Sequence, residues 1–157
     1  MSMTYCFFYI IETAHYVKYD NGFVQLLGYG ITISPIRRSK QYSDHSGTEQ
    51  EFCNLFFGPI LHVKALESII KQRLASKRHK IYGEPVEWVS PKHKMSSKEL
   101  LVLVKDTIAQ EGFNIRAITD DYLPFNNLDH HRKITVKELH SNPELYLEEI
   151  NLTFNRT

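Results

Sequence analysis

Residues 5–32 read YCFFYIIETAHYVKYDNGFVQLLGYGIT, and the folding of this stretch decides the architecture. It opens on YCFFYII, a continuous aromatic and β-branched run. Such a run is the pattern of a strand buried on both faces in the middle of a sheet. Asp20-Asn21-Gly22 then separates two β-rich arms. A short Asn/Asp/Gly turn between β-rich arms marks a hairpin. The second arm ends in Gly28-Tyr29-Gly30-Ile31-Thr32, and Ser34-Pro35 follows. Serine suits an N-cap and proline the first helical position, so IRRSKQY is expected to begin a short helix. Arg37 and Arg38 then emerge at a helix start, where free amides and the dipole already favour an anion.

Outward from this point the chain reads as alternating helices and strands. After Gly58-Pro59, a helix is expected through ILHVKALESIIKQRLASKR, with Ile60, Val63, Leu66, Ile70 and Leu74 on one face. Glu67 falls inside that apolar stripe, where a carboxylate is costly unless it has a partner. Lys71, four residues on, is one such partner; a metal ion is another. IYGEPVEWVS reads as a turn and a strand carrying the only tryptophan, Trp88. Ser96 to Glu99 forms a capping box for the amphipathic ELLVLVKDTIAQEG, with Gly112 at the C-cap. Beyond Asn114 the chain is polar and turn-rich, and Thr135 and Ser141 open two further short helices. The expected fold is therefore α/β of the α+β kind: a small antiparallel three-stranded sheet flanked by helices over residues 1–112, and a mostly helical C-terminal extension over 113–157.

Bulk composition is that of one globular domain. Of 157 residues, 42% are hydrophobic and 24% charged, and the formal net charge is +1. A polyanion partner must then be met by a local patch rather than by global charge. Two cysteines make neither a disulfide framework nor a zinc site, which favours a reducing compartment. The opening MSMTYCFFYII lacks a cationic segment and its apolar run is too short to cross a bilayer. The expectation is a cytoplasmic protein, monomer or homodimer, with no membrane association.

The order of these features, FFYII, GYGIT, SPIRR, ALESIIKQRL and EPVEWV, resembles the GIY-YIG nuclease superfamily. It is most similar to the phage and meiotically-upregulated-gene branch, named after an open reading frame of coliphage T-five. The resemblance covers roughly residues 5–110. It aligns Tyr9 with the first-motif tyrosine and Tyr29-Gly30 with the second motif. Arg38, eight residues after Gly30, falls at the catalytic arginine, and Tyr42 at a position held by His or Tyr. Glu67 aligns with the single acidic metal ligand. Where the superfamily places its second tyrosine the chain has Gly28, as that branch also lacks this tyrosine.

The resemblance implies a DNA endonuclease of the kind carried by phages and mobile elements, hydrolysing phosphodiester bonds with Mg²⁺ or Mn²⁺. Tyr9, Arg38, Tyr42 and Glu67 would be catalytic, with Glu67 holding the metal. A tyrosine ionises near about pH 10, so Tyr9 serves as general base only if its neighbours favour the phenolate. Arg37, Lys40, Lys71, Arg73, Lys77 and Arg78 are the candidate DNA-backbone contacts, the last three within RLASKRHK, either a solvated helix end or a phosphate track. The alternatives are a nucleic-acid-binding module of the same fold without the chemistry, and a protein-interaction domain. Asp129-His130-His131 lacks a partner at ligand spacing, and His45 reads as a loop residue rather than as a substitute for a missing active-site group.

Overall fold

A computed structural model of the chain describes residues 5–48, 50–74, 77–81, 84–124 and 133–154, with residues 45, 77–81, 84–87 and 91 described through their backbone. The chain is α+β, built on an antiparallel sheet with helices on both faces. Strand β1 spans Tyr5–Tyr19 and β2 Gly22–Thr32. Asp20 and Asn21, both at positive φ (51° and 66°), make the turn between them. Two positive φ values in succession give the twist that suits a two-residue hairpin.

Helix α1, Pro35–Ser46, follows β2 directly. Strand β3, Asn54–Pro59, pairs with β1 on the side away from β2, and helix α2, Ile60–Leu74, leaves it without a linker. Strands β4 (Lys77–Ile81) and β5 (Glu84–Trp88) come next, then helix α3 (Ser97–Glu111) and the short β6 (Arg116–Ala117). The C-terminal segment holds α4 (Val136–Ser141), a single 3₁₀ turn (Pro143–Tyr146) and α5 (Leu147–Phe154).

The sheet runs β4-β5-β2-β1-β3-β6, every neighbouring pair antiparallel, so it has six strands where three were expected. One of the added strands corrects the reading of RLASKRHK. The helix stops at Leu74, and Lys77 and Arg78 lie on β4, opposite Trp88 and Glu87 of β5. Cross-strand pairing overrides local helical pattern here, as tertiary context commonly does. The capping box at Ser96 and the left-handed Gly112 C-cap are formed as expected.

β1 is covered on both faces, and Tyr5 through Ile11 are all buried. Cys6, Phe8 and Ile10 join Leu27, Tyr29 and Phe56 beneath α2 and α3, against Val63, Leu66, Ile70, Leu100 and Val104. On the opposite face Tyr5, Phe7 and Phe57 pack under Val136, Leu139, Tyr146, Ile150 and Phe154 of the C-terminal segment. The residues after Gly112 therefore share a core with the sheet, and β6 extends it beside β3. Further along the same face Tyr9 and Ile11 meet Tyr42 of α1 and Trp88. No helix among the described residues is long and apolar enough to cross a membrane.

Candidate active site

Tyr9 stands near the middle of the buried part of β1, with Gly30 of β2 directly opposite. Its ring lies across β2 so closely that a Cβ at Gly30 would sit 2.6 Å from Tyr9 Oη and 2.9 Å from Cζ. Any side chain there would displace the phenol, so glycine is required by space rather than by backbone conformation. Phe52 packs on the other side of the ring at 4.5 Å between centroids, and Tyr42 meets it edge-on at 6.0 Å.

α1 brings the charge. Ser34 occupies the N-cap and Pro35 opens the helix, but the Ser34 hydroxyl makes no cap bond; it bonds His140 Nδ1 of α4 at 3.1 Å instead. The first helical bond runs from Arg38 N to Ser34 O, at 3.0 Å. Arg38 Nε donates to Tyr9 Oη at 3.2 Å, and Arg38 Nη1 to Gln41 Oε1 at 2.9 Å. Its guanidinium also lies 4.9 Å over the ring of Tyr42, one turn later. Tyr42 Oη is 3.0 Å from Tyr9 Oη. A guanidinium fork, two phenols and an amide thus form one connected group.

The electrostatics follow from this packing. Burial pulls the Arg38 pKa down, but the adjacent Tyr9 and Tyr42 more than offset it, and the net direction is up. Burial, followed by Tyr9, drives the Tyr42 phenol far above the usual tyrosine range, although Arg38 pulls the other way. Tyr42 accordingly stays a hydroxyl, able to donate to Tyr9, while Arg38 stays a cation.

A cavity of about 620 Å³ opens beside this group, and Tyr9, Gly30, Arg37, Arg38, Gln41 and Glu67 all line it. β5 pairs with β2 only at Gly28 and Tyr29, which leaves Gly30 to Thr32 at an open sheet edge among the described residues. Glu67 of α2 and Arg38 of α1, helices that pack on opposite faces, share the cavity around that edge. Tyr29 also lines it, although its ring is fully buried on the opposite sheet face, stacked on Phe8.

The expected DNA contacts separate. Arg37 and Lys40 are exposed on α1, and Arg37 is at the cavity. Arg73 bridges to α3, its guanidinium donating to Thr107 Oγ1 at 3.4 Å and Gln110 Oε1 at 3.3 Å. Lys71 is half-buried on α2 and does not line the cavity. The side chains of Lys77, Arg78 and His45, and the whole of Asp129-His130-His131, lie outside the described residues.

Three contributors were not anticipated. Gln41 was legible as the residue three positions after Arg38 on one helix face. Phe52 and His140 carry no local signal, because they arrive through tertiary packing alone. Comparisons of the chain with protein-family models, with curated proteins and with solved structures find no match.

Proposed function

We propose that the chain is a divalent-metal-dependent DNA endonuclease of the GIY-YIG kind. The observation that supports this reading is the meeting of Tyr9, Arg38 and Glu67 at one cavity, with Tyr42 bonded to Tyr9 behind it and Gly30 clearing space for the Tyr9 phenol. These residues come from β1, α1 and α2, and the fold assembles them although their sequence signals are separate.

Among the cavity-lining residues Glu67 is the one carboxylate, and the described residues contain no cluster of three or more His, Cys, Asp or Glu able to cage an ion. One carboxylate with room for water fits Mg²⁺ or Mn²⁺, hard cations that keep several waters, and Glu67 would hold it. Such an ion, when bound, absorbs negative charge on the phosphate.

Arg38 offers N–H donors to a non-bridging phosphate oxygen, in a partly buried setting where a planar fork outperforms an ammonium. Water attacks phosphorus, its proton passing to a Tyr9 phenolate that becomes the phenol, and the bond to the leaving oxygen breaks, that oxygen taking a proton from solvent. Arg38 donates to Tyr9 Oη as well, a charge-assisted contact suited to negative charge on that oxygen. Tyr42 holds the ring from the other side. Arg37 and Lys40, exposed on α1, supply backbone-phosphate contacts.

Single-turnover cleavage of a labelled duplex tests the assignment. Arg38→Ala should slow cleavage about a hundred- to a thousand-fold, the usual cost of one transition-state donor, with DNA affinity changed only a few-fold. If Arg38→Ala weakens binding but leaves the single-turnover rate intact, the transition-state role belongs to Arg37. A wild-type protein that binds DNA and cleaves none is the inactive binding module.

A further inference from the structure

The cavity is larger than the chemistry needs. At a water's share of about 30 Å³ per heavy atom, a phosphate group requires roughly 150 Å³. The cavity holds about 620 Å³, within the range of about 300–1,000 Å³ of pockets that enclose a whole small molecule. Its extra length has a direction. Phe7 and Tyr5 line it on the same strand face as Tyr9, and four residues of strand from Tyr9 to Tyr5 span about 13 Å.

The far end differs chemically from the reactive end. Val136 and Leu139 of α4 share the apolar cluster of Tyr5 and Phe7 and also line the cavity. Ile33, half-exposed at 50%, continues that apolar wall. Polar atoms are few and specific. Ser34 Oγ and His140 Nδ1 bond each other where α1 meets α4. Tyr5, 2% exposed, lines this end with its phenol ring and hydroxyl-bearing side chain. An apolar slot with a few placed donors and acceptors, next to a phosphate site, suits a nucleoside.

We infer that this end of the cavity takes one unstacked nucleotide adjoining the scissile phosphate, so that the substrate is DNA carrying an unpaired or easily flipped nucleotide rather than uninterrupted duplex. The inference rests on the endonuclease reading for the placing of the phosphate at Arg38. A base inside a duplex is stacked and paired and cannot enter a slot walled by a sheet and two helices. An unpaired or mismatched nucleotide has least stacking and pairing to lose on entering. The C-terminal segment is then a substrate wall, with His140 at its polar rim.

The test uses two fluorescent duplexes, identical except that one carries a single unpaired nucleotide, with affinity read by anisotropy without divalent metal and cleavage read separately with Mg²⁺ or Mn²⁺. The duplex with the unpaired nucleotide should bind about tenfold tighter and be cut beside that nucleotide, since flipping selects for weakened pairing. His140→Trp and Ile33→Trp, both at solvent-accessible positions lining the cavity, should fill the slot and remove the preference while melting like the parent. Equal affinity for the two duplexes, or a preference retained by either tryptophan variant, overturns the nucleotide slot. If both duplexes are cut equally well, the slot fails and the nuclease reading stands. A preference in binding without cleavage under either metal upholds the slot and overturns the nuclease chemistry.

Discussion

Gly30→Ala probes the site through geometry alone. The new methyl carbon would start 2.6 Å from Tyr9 Oη, 2.9 Å from Cζ and 3.1 Å from Cε2. Ordinary contact needs about 3.5 Å, so the tip of the ring must retreat by about 0.9 Å. It has nowhere easy to go. Phe52 lies against the ring at 4.5 Å, Tyr42 closes its edge, and the residue is 2% exposed. Retreat disturbs the 3.2 Å bond from Arg38 and the 3.0 Å contact with Tyr42. Overpacking of this kind costs about 1–3 kcal/mol of stability, and a misplacement near 1 Å costs about a hundredfold in rate. The expected variant is folded, slightly less stable, and at least about a hundredfold slower in single-turnover cleavage, with DNA affinity within a few-fold. Chemical denaturation and cleavage of a labelled duplex measure the two effects. A Gly30→Ala protein that cleaves at the parental rate would show that the Tyr9–Arg38–Tyr42 geometry has no part in catalysis.

Alkaline stability reports on the buried acids. Burial pushes the Cys6 thiol from 9.0 up to about 11, so above pH 9 the unfolded chain sheds a proton that the folded chain keeps. Stability then falls as pH rises, by up to about 1.4 kcal/mol per pH unit between 9 and 11. Tyr42, also raised, adds to the fall above about pH 10. Denaturant titrations should show Cys6→Ala flattening the first part and Tyr42→Phe the second, and unchanged slopes would contradict the burial argument. Ending the chain after Gly112 strips Tyr5, Phe7 and Phe57 of their C-terminal partners. At about 1.5–3 kcal/mol for each large apolar side chain, the loss rivals the whole stability of a small domain, about 5–15 kcal/mol. The truncated chain should bind a hydrophobic dye and lack a cooperative melt, and a parental melt would make residues 1–112 an independent unit.

Where local pattern and tertiary packing agreed, the sequence was readable. YCFFYII declared a doubly covered strand, Asp20-Asn21-Gly22 a hairpin, and Ser96 and Gly112 the two ends of α3, because each signal lies within a few residues of its effect. Strand β3 carried no expectation of its own, since LFFG is too short for periodicity to separate strand from buried helix. The first two residues of β4, Lys77 and Arg78, fall within the run expected as helix, because that basic run shows no alternation of apolar and polar residues, and pairing with β5 decided its state. In the candidate site Tyr9, Arg38, Tyr42 and Glu67 were named from motif order, and the cavity brings all but Tyr42 to its lining, with Tyr42 behind Tyr9. His140 was not legible, because α4 reaches α1 from over 100 residues away in sequence, at a contact separation of 106.

Conversion of supercoiled plasmid to nicked circles, with Mg²⁺ or with chelator, tests the central claim most directly when wild type and Glu67→Gln are compared. Glu67→Gln removes the cavity's one carboxylate among the described residues without adding charge near the phosphate. The account predicts nicking by the wild type in Mg²⁺ only, and its loss in Glu67→Gln with DNA binding kept within a few-fold. Undiminished nicking by Glu67→Gln, or nicking by the wild type in chelator, would contradict it.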